Sequence, residues 1–244
     1  MTHGICAILF DKDGTLLDFN STWLPPYRAA ADYVASRSDG RVSAENLLAS
    51  GGYLAETDTW QNDSLLAAGS NRQIIDSWNV LLGRALTVAE IQHISAIFKL
   101  NADCYIPVTR PLRTPLTVLK QAGFALGIAT MDDESHAHTM TDALGIDDLF
   151  DFVCGADSGY GVKPDPGMVH AFAKELDIEP CRIAMVGDSP RDILMGLNAN
   201  AGLSIGVLTG AHDREALARH TEHVLDDIGG LHDYLGSFHL MDST

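Results

Sequence analysis

Two carboxylates, Asp11 and Asp13, stand one residue apart behind an apolar run from Ile5 to Phe10, and Gly14 follows them. Such a run reads as a buried strand, and the glycine lets the chain turn at its end. Carboxylates this close raise the cost of each other's charge. A hard divalent cation such as Mg2+, which prefers oxygen ligands, relieves that cost. Further along, Thr130 ends the apolar segment Phe124–Ala129, Lys163 stands in Gly161-Val162-Lys163-Pro164, and Asp188 and Asp192 follow the segment Ile183–Val186. The set holds a nucleophile, a hydroxyl donor, a cation and further metal-type oxygens. It suits phosphoryl transfer, where positioning and charge stabilisation dominate.

These residues act together only if the elements before them converge. From Pro111 the sequence alternates between strand and helix patterns. Helices are predicted leading to Gly123 and over 134–144, 167–176 and 190–199, with strands at 124–129, 152–154, 183–186, 204–208 and 223–225. Alternation of this kind implies an α/β fold with a parallel sheet, helices on both faces and right-handed crossovers. Parallel strands point their carboxyl ends one way, and ligands bind in the crevice beyond those ends. Between the first strand and this series, residues 17–104 show helical periodicity and little strand signal. Ser21 is expected to cap a helix through Tyr33 with Pro25 and Pro26 near its first turn, and further helices follow Asn71 and span 85–100. Gly51-Gly52-Tyr53 and Ala67-Ala68-Gly69-Ser70 read as connections, and the tail from Ser237 as frayed. The expected division is a core of residues 1–16 and 105–244 with an all-helical insert of residues 17–104.

Composition narrows the partners. The 244 residues carry 16 Lys and Arg against 33 Asp and Glu, a net charge of -17, which argues against nucleic acid. An anionic substrate must then be attracted locally, by a metal or a few cations. No apolar run is long enough to span a bilayer and no basic-then-apolar signal opens the chain, so no membrane partner and a cytoplasmic location are expected. Cys6, Cys104, Cys154 and Cys181 form no C-x-x-C pair, which fits buried free thiols better than a zinc site. The insert holds six basic against ten acidic side chains, a balance of -4, so it offers no broad basic surface. A small phosphorylated metabolite fits that balance better than a nucleic acid or a phosphoprotein.

The residues Asp11-Lys12-Asp13-Gly14-Thr15, Thr130, Gly161-Val162-Lys163-Pro164-Asp165-Pro166 and Gly187-Asp188-Ser189-Pro190-Arg191-Asp192 occur in an order that resembles the haloacid dehalogenase superfamily. The likeness covers essentially the whole chain. It points to the phosphatase branch with a helical cap inserted after the first strand, and in particular to phosphoglycolate phosphatase-like members. The resemblance implies a Rossmann-like core with the cap over its active edge. It implies Asp11 as the nucleophile that forms an aspartyl-phosphate, and Asp13 as the acid for the leaving oxygen and then the base for water. It implies Mg2+ held by Asp11, the Asp13 main-chain carbonyl and Asp188. Thr130 and Lys163 would bind the phosphoryl group, and Asp192 would orient Lys163 or metal-bound water. Met131-Asp132 departs from the polar residue then Asp that relatives often carry after the threonine.

Other functions fit less well. A sugar-phosphate mutase of the same superfamily shares every core residue and remains the alternative. A dehalogenase has no need of Asp13, a phosphonate hydrolase needs a cap lysine that the insert lacks before Lys99, and a signalling receiver needs no lid. His136 and His138 lie two apart on a helix and face different ways, so they do not suit a metal pair. Trp23, Trp60 and Trp78 read as packing within the insert, and Gly51-Gly52 as a turn, with its amides or a cap arginine as candidate partners for a substrate carboxylate.

Overall fold

The structure, a computed structural model, describes residues 4–62, 64–69, 71–101 and 105–241. Asp63, Ser70, Asp103 and Cys104 lie outside the described residues. The chain forms two compact units. One takes the sequence up to Asp18 and again from Tyr105, and the other takes the stretch from Phe19.

Strand β1 (Ala7–Phe10) opens the first unit. The second unit is built from α1 (Phe19–Ala35), α2 (Ala44–Ser50), β2 (Tyr53–Leu54), β3 (Thr59–Trp60), α3 (Leu65–Ala68), α4 (Asn71–Leu82) and α5 (Val88–Asn101). It is helical except for the antiparallel β2–β3 hairpin, which corrects the all-helical expectation. Two-residue strands leave no alternation to read; the hairpin forms because Tyr53 and Trp60 pair across it with ring centroids 5.0 Å apart. Ser21 is not a cap, since α1 begins at Phe19 and carries Pro25 and Pro26 in its interior. Two lost helical hydrogen bonds are offset by packing, with Phe19 and Tyr27 both edge-on to Trp60. Trp78 is fully buried and donates to the Leu47 carbonyl, so these tryptophans serve as packing. The amides of Gly51 and Gly52 donate to Leu48 and Ala49, which removes them as partners for a substrate carboxylate. Side chains force that turn, because a Cβ on Gly52 would lie 2.3 Å from the Ser64 Cβ.

The first unit continues with α6 (Arg113–Gln121), β4 (Ala125–Ala129), α7 (Glu134–Leu144), β5 (Phe152–Cys154), α8 (Gly167–Glu175), β6 (Ile183–Gly187), α9 (Pro190–Asn198), β7 (Leu203–Val207), α10 (Arg214–Ala218), β8 (Val224–Leu225) and α11 (Leu231–Met241). Helix α11 runs past Ser237, where fraying was expected. The six strands form one sheet in the order β5-β4-β1-β6-β7-β8, and every pairing is parallel. Side chains alternate across it. Ile8 and Phe10 join a core with Leu116, Leu119, Met140, Leu231 and Leu235 of α6, α7 and α11. Ala7 and Leu9 join another with Met168, Phe172 and Met195 of α8 and α9. Burial on both faces is why these strands read as unbroken apolar runs. The chain leaves β1 for β4 and β5 on one side and returns to β6, β7 and β8 on the other. That reversal is the topological switch point where such sheets bind ligands. No helix of the described residues is long and apolar enough to cross a membrane.

Candidate active site

Every predicted site residue follows a strand of the first unit at the carboxyl edge. Asp11 directly follows β1, and its N–H extends the ladder to the Val186 carbonyl at 2.9 Å. Thr130 follows β4 and its N–H bonds the Cys154 carbonyl at 3.0 Å. Asp188 follows β6, Asp192 sits in the first turn of α9, and Lys163 reaches in from the long loop after β5.

Lys163 is the hub. Its ammonium, only 2 % exposed, bonds Asp11 Oδ1 and lies 2.6 Å from Asp192 Oδ1. Burial opposes its charge, yet the Asp11 and Asp192 carboxylates hold it above the ordinary lysine range. Asp192 is fixed in turn. Its Oδ2 accepts from Ser189 N–H at 3.1 Å and from Ser189 Oγ at 2.6 Å, while its own N–H bonds Ser189 Oγ. This reciprocal cap starts α9 and also aims the carboxylate that steers Lys163.

Asp188 completes the group. One carboxylate oxygen from each of Asp11, Asp188 and Asp192 lies within 4.8 Å of the other two. Burial pushes Asp11 up to about 7; Lys163 opposes the rise, and Asp192 and Asp13 add to it. Burial, Asp11 and Asp192 likewise hold Asp188 well above the carboxylate range. The loop after β7 cradles Asp188 closely. Ala211 N–H donates to its Oδ2 at 3.2 Å, and a Cβ on Gly210 would fall 1.7 Å from that oxygen. Gly14, at φ +83°, packs against the same carboxylate, and Thr209 Oγ1 ties the two loops by donating to the Gly14 carbonyl.

Thr130 Oγ1 accepts from Asp132 N–H at 3.1 Å. Among the described residues its own O–H meets no acceptor, which suits a donor to a phosphoryl oxygen. Asp13 is placed apart from this hub, with its carboxylate 2.7 Å from the buried Lys12 ammonium. His136 and His138 do turn apart, toward Asp132 and Asp147. Cys154 is buried beside the site, and burial pushes its thiol up to about 12, leaving it protonated and inert. Sequence reasoning missed the Thr209-Gly210-Ala211 cradle, for which no residue type is a signal, and the role of Ser189. Serine followed three residues later by a carboxylate is a capping signature, and it was legible.

The sequence model of the haloacid dehalogenase-like hydrolases matches residues 5–200. The chain belongs to the haloacid dehalogenase-like hydrolases. This hydrolase is 28% identical over 238 residues to a phosphoglycolate phosphatase of Vibrio cholerae, covering 93% of this chain and 95% of the relative. It is 37% identical over 123 residues to a phosphoglycolate phosphatase of Psychrobacter arcticus, where the match covers 49% of this chain and about half, 52%, of the relative's length. Among solved structures, a Haemophilus somnus protein assigned by prediction as a phosphoglycolate phosphatase superposes with a TM-score of 0.71 at 22% identity, over 95% of this chain and 98% of that one. A Thermotoga maritima protein provisionally named beta-phosphoglucomutase gives 0.71 at 19% identity, over 96% and 99%. The two structural likenesses concern the fold of this hydrolase alone.

Proposed function

We propose that the chain is a Mg2+-dependent phosphatase that hydrolyses a small phosphate monoester through an aspartyl-phosphate on Asp11. The observation that carries this reading is the buried Lys163 ammonium shared by Asp11 and Asp192, with Asp188 alongside. The donor set fits Mg2+. Asp11 and Asp188 are buried oxygen ligands whose charges are costly until a cation offsets them. Asp192 is already committed to Lys163 and Ser189, so Asp11, Asp188 and the Asp13 carbonyl would hold the ion. Once bound, Mg2+ would supply positive charge against the phosphoryl oxygens and favour ionised Asp11.

The chain's own groups do the rest. Lys163 and Thr130 bind the phosphoryl oxygens and orient phosphorus toward the Asp11 oxygen that is not bonded to Lys163. That oxygen forms the new P–O bond as the ester P–O bond breaks, and Asp13 gives its proton to the departing alkoxide. Asp13, now a carboxylate, takes a proton from water, whose oxygen attacks phosphorus and frees phosphate and Asp11. The relatives named as phosphoglycolate phosphatases support phosphoglycolate as the first substrate to try.

The test is turnover of a phosphate-ester panel with Mg2+ and with excess chelator, followed by acid quench and mapping of the labelled residue. Free phosphate in step with ester loss, chelator-sensitive and with label on Asp11, is expected. Label on serine or histidine, or full activity in chelator, would sink the reading. Isomerised sugar phosphate with little free phosphate would move the reaction to a mutase.

A further inference from the structure

Lys12 has no part in the chemistry above, yet its side chain turns inward. The ammonium is 2 % exposed and lies 2.7 Å from Asp13 Oδ2 and 3.2 Å from Asp132 Oδ2. An ammonium withdrawn from water is costly unless its partners are well placed. Burial opposes its charge, and the two carboxylates more than restore it. Asp132 is anchored in turn. Its Oδ1 accepts from Asp133 N–H at 2.8 Å and lies 2.9 Å from His136 Nδ1 on α7. Burial opposes Asp132's charge too, but Lys12 and His136 hold its carboxyl below the usual range. Its N–H meets Thr130 Oγ1.

A continuous bridge therefore runs from Asp13 through Lys12 and Asp132 to His136, with a branch to Thr130. We propose that Lys12 is a positioning residue that fixes the orientation of Asp13, and that Asp132, backed by His136, anchors Lys12 for that purpose. The inference rests on the reading of Asp13 as the acid that protonates the leaving oxygen. Asp13 lies on a loop with its side chain 20 % exposed, and the 2.7 Å contact with the buried Lys12 ammonium fixes one of its two oxygens. Proton transfer needs it within hydrogen-bond reach of one oxygen of the substrate, roughly 2.6–3.2 Å. Lys12 and Asp132 together are neutral, so they hold Asp13 by a directed bond without adding net charge to the site. A carboxylate at 132 is the natural partner for a lysine at 12, and neither makes sense buried alone.

The experiment compares two small esters. Phosphoglycolate releases an alkoxide and needs the acid; acetyl phosphate releases acetate, which leaves without a proton. kcat/KM reports the steps up to phosphoryl transfer, and so isolates the acid. Lys12→Met is expected to lower kcat/KM for phosphoglycolate about 10–100-fold, the range for outer-shell partners, and that for acetyl phosphate less than about threefold. Asp132→Asn keeps a hydrogen-bonding group beside Lys12 and should show the same selectivity in smaller degree. It carries the test if Lys12→Met does not fold by circular dichroism. Asp13→Asn is the reference and should show the largest selectivity. If Asp13→Asn lowers both esters alike, the leaving-group acid is misassigned and the proposal goes with it. If Asp13→Asn is selective but the folded Lys12 or Asp132 variant lowers both esters equally, or neither, the bridge is structural and the proposal alone is overturned.

Discussion

Gly210→Ala tests the metal assignment without touching a candidate ligand. A Cβ at 210 would lie 1.7 Å from Asp188 Oδ2 and 2.2 Å from its Cγ, where real contacts essentially never fall below 3.0 Å. The carboxylate must therefore retreat by at least the difference, 1.3 Å. It cannot escape by turning its side chain alone, because a Cβ at 210 would also lie 2.4 Å from the Asp188 Cβ, which the backbone holds. The displacement also breaks the bond from Ala211 N–H. Mg2+ sites tolerate ligand displacements of about 0.2 Å around bonds of about 2.0–2.1 Å, so a shift this large removes Asp188 from coordination. Loss of one buried charged ligand should raise the half-saturating Mg2+ concentration about 10–100-fold, equivalent to roughly 1.4–2.7 kcal/mol. The assay is phosphate release from phosphoglycolate across a Mg2+ titration, with melting curves to verify folding. Gly230→Ala, whose Cβ would meet nothing within 4 Å, is the matched control. A folded Gly210→Ala protein with half-saturation within twofold of the parent would refute the placement of Mg2+ at Asp188.

Two further outcomes follow from the geometry. Asp192→Asn retains a partner for Ser189 but withdraws the charge opposite Lys163, and kcat should fall about 10–100-fold with the fold intact; an unchanged kcat would mean that Asp192 only caps α9. In the second unit, Glu90 accepts from Arg84 and from Thr87 N–H at the start of α5, and Arg84 and then Thr87 hold its carboxyl at about 2 against an ordinary 4.5. Glu90→Gln should lower stability at neutral pH by about 1 kcal/mol, or about 2–4 °C in apparent Tm. A depressed folded pKa stabilises above 4.5 and loses that contribution as pH falls through about 2. The gap between parent and variant should therefore close on acidification, and a gap constant from pH 7 to pH 2 would contradict the assignment.

Much of the first unit was legible because its strands are buried on both faces and end on polar residues with chemistry. The helix predicted over 134–144 is α7, residue for residue, since Gly145 in the left-handed conformation marks its end. The second unit was harder to read. Helix α2 has seven residues and caps through Ser43 and Asn46, with asparagine standing where glutamate or glutamine would signal a capping box. Pro25 and Pro26 pointed to a first turn, and tertiary packing of Phe19 and Tyr27 overrode that local signal. Asp11, Asp188 and Lys163 could be named from their positions after strands. Lys12 could not be understood that way. A lysine between two aspartates reads as solvated, and only Asp132, distant in sequence, makes its burial intelligible.

The placement of β1 at the centre of the sheet has a consequence for biosynthesis. Its neighbours are β4, which begins at Ala125, and β6, which begins at Ile183. At about 5–20 residues per second, a ribosome needs on the order of ten seconds to deliver the first of them after Phe10 has been made. For that interval an apolar segment destined for complete burial has both edges unpaired, the condition under which nascent chains aggregate or recruit chaperones. The bond from Lys163 to Asp11 spans 152 positions, and Asp188 is translated later still. A product terminated before Lys163 therefore carries Asp11 without any of its partners, and the full cluster exists only once Asp192 has been translated.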